Sequence, residues 1–173
     1  RVGETSAVAL ADGSVVTLNT ASKIQVAVTQ SGRSVTLQEG EAYFEVAKDA
    51  KRPFTVAAGS KHITALGTAF SVRKLADDDV RVVVTEGTVA VTSSHGVESP
   101  TVLTAGTSAH ALKTALTVQE RALSELQEQL SWRTGFIVLH HTPLSEAVAE
   151  FNRYNPRPIV IEDASLTTIP VSG

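Results

Sequence analysis

The chain has 173 residues, 42% of them hydrophobic, with 15 Lys and Arg against 18 Asp and Glu for a net charge of -3. That length buries roughly two thirds of the unfolded surface, in one domain or two small ones, and the composition excludes collagen, disordered linkers and disulfide scaffolds. With no basic run to neutralise a phosphate backbone, nucleic acid is not an expected partner.

Cysteine and methionine are both absent. No disulfide, thiolate zinc site or cysteine nucleophile is therefore available. A sequence that starts at Arg1 without any Met is expected to be a piece of a longer protein, with any signal peptide or membrane span outside it.

From the start to about Val102, short alternating runs are broken by Gly, Asp, Asn and Ser. Ile24, Val26 and Val28 alternate with polar neighbours, as do Ala42, Phe44 and Val46, then Phe54, Val56 and Ala58. This is the period of half-buried strands. Val80, Val82 and Val84 lead through Glu86-Gly87 to Val89 and Val91, which reads as a hairpin. Asp12-Gly13, Ser31-Gly32 and Glu39-Gly40 supply further turns tolerant of positive φ. The expected architecture is mainly β, an antiparallel sandwich, barrel or solenoid-like stack.

Leu123, Leu126 and Leu130 form a helical stripe. A strand–helix–strand unit is expected next. Phe136, Ile137, Val138 and Leu139 read as a buried strand, and Thr142-Pro143 as an N-cap with Pro at the first helical position. Leu144, Ala147, Val148 and Phe151 make one apolar helix face, ending before Asn155-Pro156. Ile159, Val160 and Ile161 read as the second strand. The expected organisation is an all-β domain over 1–114, a helical connector over 115–130 and a small βαβ domain over 131–173.

No phosphate-binding glycine loop, dinucleotide fingerprint, zinc-protease helix or nucleophile elbow is present, so no cofactor and no separate enzyme are expected. Of His62, His95, His110, His140 and His141, only the last two are close, and neighbours on a strand face opposite ways. Asp77-Asp78-Asp79 lacks the ligand spacing of a calcium loop and reads as a solvated turn. No metal site is expected. Trp132 is the only tryptophan, equally suited to an interface anchor or a core plug. The pairs Gly67-Thr68, Gly87-Thr88 and Gly106-Thr107 each place a hydroxyl beside a flexible carbonyl, the geometry of an N-to-O acyl shift, although Gly at such places usually marks a bulge.

Five blocks in register resemble the FecR-like domain. They are Leu10-Ala11-Asp12-Gly13-Ser14-Val15-Val16-Thr17-Leu18-Asn19, Gly40-Glu41-Ala42-Tyr43-Phe44-Glu45-Val46, Arg52-Pro53-Phe54-Thr55-Val56, Leu66-Gly67-Thr68-Ala69-Phe70-Ser71-Val72 and Val84-Thr85-Glu86-Gly87-Thr88-Val89. The tail, from Trp132-Arg133-Thr134-Gly135-Phe136-Ile137-Val138 through Phe151-Asn152-Arg153-Tyr154 to Ile169-Pro170-Val171, resembles the first half of a secretin and TonB short N-terminal (STN) domain.

The resemblance implies the periplasmic part of an inner-membrane-anchored anti-sigma regulator of iron-siderophore signalling. Its implied partners are the signalling domain of a TonB-dependent outer-membrane transporter and, through a cytoplasmic segment, an extracytoplasmic-function sigma factor. It also singles out Gly67-Thr68 for self-cleavage, since some members of that family cut there. Physically, an incomplete sheet offers an edge for strand addition, so Trp132, Phe136, Val138, Ile159 and Ile161 are the expected partner contacts. A self-processing protein or a structural, wall-binding β domain is the alternative.

Overall fold

The computed structural model describes residues 2–94 and 99–173, so His95 lies outside the described residues. Twelve strands form one hydrogen-bonded system: β1 (Ser6–Ala9), β2 (Val15–Leu18), β3 (Lys23–Val28), β4 (Arg33–Glu45), β5 (Phe54–Ala58), β6 (Lys61–Ala65), β7 (Ala69–Ala76), β8 (Asp79–Glu86), β9 (Thr88–Ser93), β10 (Thr101–Thr104), β11 (Thr107–Ala111) and β12 (Leu116–Glu120). Their path runs β10-β9-β6-β5-β4-β7-β8-β11-β12, with β1 on β2 and both β2 and β3 on β4. The molecule is mainly β, a large mixed sheet that closes nearly into a barrel.

The long strand β4 explains the closure. Its first half, Arg33 to Leu37, pairs parallel with β5 and antiparallel with β3, whereas Gly40 to Glu45 pairs antiparallel with β7. At Gly40 the backbone turns to φ +82, so one strand serves both halves of the sheet. The halves face one another across a single core that includes Val35, Leu37, Phe54 and Ile63 from one side and Phe44, Phe70, Val72 and Val82 from the other. Phe44 stacks on Phe70 at 5.2 Å and tilts against Phe54 at 6.1 Å. All three rings are fully buried, each stabilising the fold by about 1.5–3 kcal/mol.

One expected hairpin does not form. β8 pairs with β7 and β11, whereas β9 pairs with β6 and β10, so Glu86-Gly87 is a corner between half-sheets and not a hairpin turn. Leu66-Gly67-Thr68 and Ala105-Gly106 are corners of the same kind, because β6 and β10 belong to one half and β7 and β11 to the other. The corners stack: the Val46 amide donates to the Thr68 carbonyl, Ala105 to Gly87 and Arg121 to Gly106. Local alternation cannot separate a corner from a hairpin, since both need a turn between two strands of the same period. Gly32, also expected at a turn, does not adopt positive φ.

Beyond the sheet, α1 (Leu123–Gln129) buries Leu126 completely but leaves Leu123 exposed. The expected connector over 115–130 thus contains β12 as well as this helix. A 3-10 turn over Ser131–Thr134 follows, then β13 (Thr142–Pro143), α2 (Leu144–Tyr154) and β14 (Pro170–Val171), with β13 antiparallel to β14. Helix α2 begins one residue later than expected, with Pro143 as its cap and no side-chain capping bond.

The strands expected to flank α2 do not form. Residues 136–139 are irregular, with Phe136 67% exposed, and residues 159–161 are likewise without ladder pairing. The cause is local. The Asn152 side chain donates to the Ile159 carbonyl and accepts from its amide, taking the place of a strand partner. Leu139 exchanges backbone bonds with Gly173 instead. Among the described residues, no helix is long and apolar enough to cross a membrane.

Candidate functional site

The seam between the sheet and the C-terminal segment carries most of the buried chemistry outside the core. Alternation along β4 puts Glu41 and Tyr43 on the face away from the core residues Ala42 and Phe44, and helical periodicity points Glu150, Arg153 and Tyr154 of α2 toward them. Arg153 Nη1 donates to Glu41 Oε2 at 3.1 Å and to Glu150 Oε1 at 2.6 Å. The other Glu150 oxygen lies 2.9 Å from Arg73 on β7. Asn19 Nδ2 donates to Glu41 Oε2 at 3.0 Å, the Tyr154 hydroxyl donates to Asn19 Oδ1 at 2.8 Å, and Thr20 caps the Arg153 carbonyl at 3.0 Å.

Burial by itself would lower the Arg153 pKa, but the Glu150 and Glu41 carboxylates outweigh it and raise it above the ordinary arginine value. Burial raises the Tyr154 hydroxyl. Both groups therefore stay protonated and act as fixed donors. Arg153 Nη2 is buried without an acceptor.

Beside this network Trp132 is 4% exposed and packs with Tyr43 and Leu130. The Arg133 guanidinium lies 3.6 Å from the Tyr43 ring centroid. Of the two uses open to the tryptophan, the fold adopts the plug. The other expected contacts divide: Phe136 and Ile159 are exposed, at 67% and 47%, whereas Val138 and Ile161 are half-buried. Phe136 and Val138 both line a groove against the sheet; Ile159 and Ile161 do not.

The three Gly-Thr pairs occupy equivalent corners, so the backbone role of their glycines is shared. Their hydroxyls differ. Thr107 Oγ1 donates to the Thr104 carbonyl at 2.7 Å, and Thr88 is exposed. Thr68 is 6% exposed, and its Oγ1 is buried with no partner. Gly67 adopts φ +146, and a Cβ there would lie 2.4 Å from Lys48 Cγ, so no other residue fits without rearrangement.

The three adjacent aspartates each have a partner. Asp77 meets Lys74 at 2.8 Å, Asp78 accepts from Ser60 Oγ at 2.6 Å, and Asp79 meets His110 at 2.7 Å.

Asn19 and Glu41 stand inside the FecR-like blocks and Arg153 and Tyr154 inside the STN-like tail, yet no local pattern marks the four as a network. The Glu150–Arg153 spacing was the one readable signal. The sequence model of the FecR protein family matches residues 1–90, more than half of the chain. The chain belongs to the FecR family. This FecR chain is also similar to two crystal structures of a candidate anti-sigma factor from Parabacteroides distasonis, determined at 1.65 and 2.50 Å. The TM-scores are 0.83 and 0.77 at 26% identity, covering 100% of this chain and 81% and 80% of those chains. No curated protein matches the FecR chain. The structural likeness therefore reaches past residue 90 into the seam and α2.

Proposed function

We propose that this chain is the signal-receiving part of a FecR-type anti-sigma regulator, acting in the periplasm. It binds the signalling domain of a TonB-dependent siderophore transporter and passes the signal to a sigma factor held by a cytoplasmic segment, so controlling iron-uptake transcription. The observation that carries the reading is the whole-length similarity to a candidate anti-sigma factor, combined with membership of the FecR family.

The C-terminal segment suits strand addition. Ile137 and Val138 form no backbone hydrogen bond among the described residues, and Phe136 stands exposed beside them. An incoming strand satisfies those backbone groups and covers the ring, completing an STN-like unit. Isothermal titration against transporter signalling domains tests this. Binding is expected to weaken at least about tenfold in Phe136→Asp, a loss near 1.4 kcal/mol, with circular dichroism unchanged. Unaltered affinity in that variant refutes the assignment of the contact, and absence of binding to every such domain refutes the function.

A second reading is favoured by the unpartnered hydroxyl of Thr68. In an N-to-O acyl shift, Oγ1 bonds to the Gly67 carbonyl carbon, the C–N bond breaks, and the hydroxyl proton passes to the released Thr68 nitrogen. Water then hydrolyses the ester and leaves two chains, one ending at Gly67 and one starting at Thr68. Intact mass measurement of the purified protein decides: two fragments support processing, and a single uncut chain refutes it. This activity is compatible with the binding role.

A further inference from the structure

We propose that the groove between the outer face of the sheet and residues 136–139 binds a small organic acid, a single carboxylate on an apolar body. The groove encloses about 520 Å³, within the range of small-molecule sites. This inference does not require transporter binding, although it shares residues 136–138 with the proposed strand-addition surface.

Register is the first observation. Arg73 on β7 faces Arg81 on β8, and Arg81 faces His110 on β11, so two guanidiniums and an imidazole stand side by side on one face. Like charges directly opposed across antiparallel strands are destabilising. The two outer members are compensated, Arg73 by Glu150 at 2.9 Å and His110 by Asp79 at 2.7 Å. Arg81, in the middle, is exposed and has no carboxylate partner among the described residues. All three line the groove. A carboxylate arriving there meets a planar fork of donors that suits it in pairs.

A second observation comes from the aromatic lining. Trp132 lines the same groove, and its indole N–H is buried without an acceptor. The exposed Arg81 is therefore the donor a ligand meets, and the buried indole beside the groove reports on its arrival. Phe136, Ile137 and Val138 supply an apolar side for the rest of the ligand. Glu41, Glu128, Glu146 and Glu150 also border the groove. Their charge disfavours polyanions such as phosphates and selects one carboxylate.

The single tryptophan makes the test direct, because a nitrogen-15-labelled sample gives one indole N–H resonance. The folded protein is titrated with benzoate, with benzamide as the neutral isostere, with inorganic phosphate as an anion lacking an apolar body, and with an acidic tripeptide. Benzoate is expected to move the indole resonance saturably and to bind at least about tenfold more tightly than the other three. Arg81→Gln is expected to weaken benzoate at least about tenfold while leaving the remaining spectrum in place. Arg81→Lys, which keeps the charge but not the fork, is expected to fall between; it serves as the test if the first variant misfolds. An unmoved indole, equal binding of benzamide, or full affinity in both variants overturns the proposal. Tighter binding of the tripeptide overturns the small-acid assignment.

Discussion

The Arg153 guanidinium on α2 lies 3.1 Å from the Glu41 carboxylate on β4, joining residues 112 positions apart. Both side chains are largely withdrawn from water, at 18% and 8% exposure. The pair is the polar counterpart of the Trp132–Tyr43 contact, and together they hold the C-terminal segment on the sheet.

Replacing Arg153 with Ala leaves the Glu41 carboxylate buried with only Asn19 and Ser71 as donors. Breaking such a pair from one side is expected to cost about 3–5 kcal/mol. The loss falls on the docking of α2, so hydrogen exchange is expected to accelerate over residues 144–154 while β5 to β8 keep their protection. Equal protection of α2 in the variant and the parent would falsify this.

Arg33 and Asp12 form a second buried pair, at 3.0 Å with side chains 0% and 1% exposed. Arg33 also donates to the carbonyls of Ala47, Asp49 and Arg52, so each of its three guanidinium nitrogens is bonded. Burial by itself would raise the Asp12 carboxyl, but bonds from Ser14 and Arg33 outweigh it and hold its pKa below the ordinary 3.8. A lowered folded pKa means that the unfolded chain takes up the proton first. The stability from Asp12 is therefore present above pH 3.8 and disappears as pH falls from there through the lower folded value. Asp12→Asn is expected to lose about 3–5 kcal/mol at neutral pH and to show a flatter decline in acid, measured by urea unfolding across pH.

At Thr68 the buried hydroxyl has no partner, and burying such a group costs about 1–3 kcal/mol. Thr68→Val is expected to match or exceed the parent in thermal stability and to be uncut. Thr68→Ser keeps a nucleophile and is expected to retain any cleavage. A clear loss of stability in the valine variant would mean that the hydroxyl does have a bonding partner.

Truncating the buried Trp132 to Ala is expected to cost about 3–5 kcal/mol, as for other large buried aromatics. Phenylalanine keeps the plug and removes only an indole N–H that has no acceptor, so the milder variant should lose far less. Equilibrium unfolding of the two variants separates packing from polarity.

Much of the strand content was legible because Ile24-Gln25-Val26 and Phe54-Thr55-Val56 alternate with the period of a half-buried strand. The helix from Leu144 was legible for the same kind of reason, since its apolar residues recur on one face. The absence of strands flanking α2 is not legible, because a short apolar run says nothing about whether a backbone partner exists, and the Asn152 amide takes that place at Ile159. Of the candidate site, the sequence marked Gly67-Thr68 and Trp132 but could not tell an orphaned hydroxyl from a bonded one.

Periodicity and turn residues by themselves determined that this protein is mainly β, since both act between neighbours along the chain. Only the tertiary structure decided that β8 and β9 lie in different halves, that Arg153 reaches Glu41, and that Arg73, Arg81 and His110 stand in one row. Those relationships join residues distant in sequence, and the sheet's closure through β4 is what brings them together.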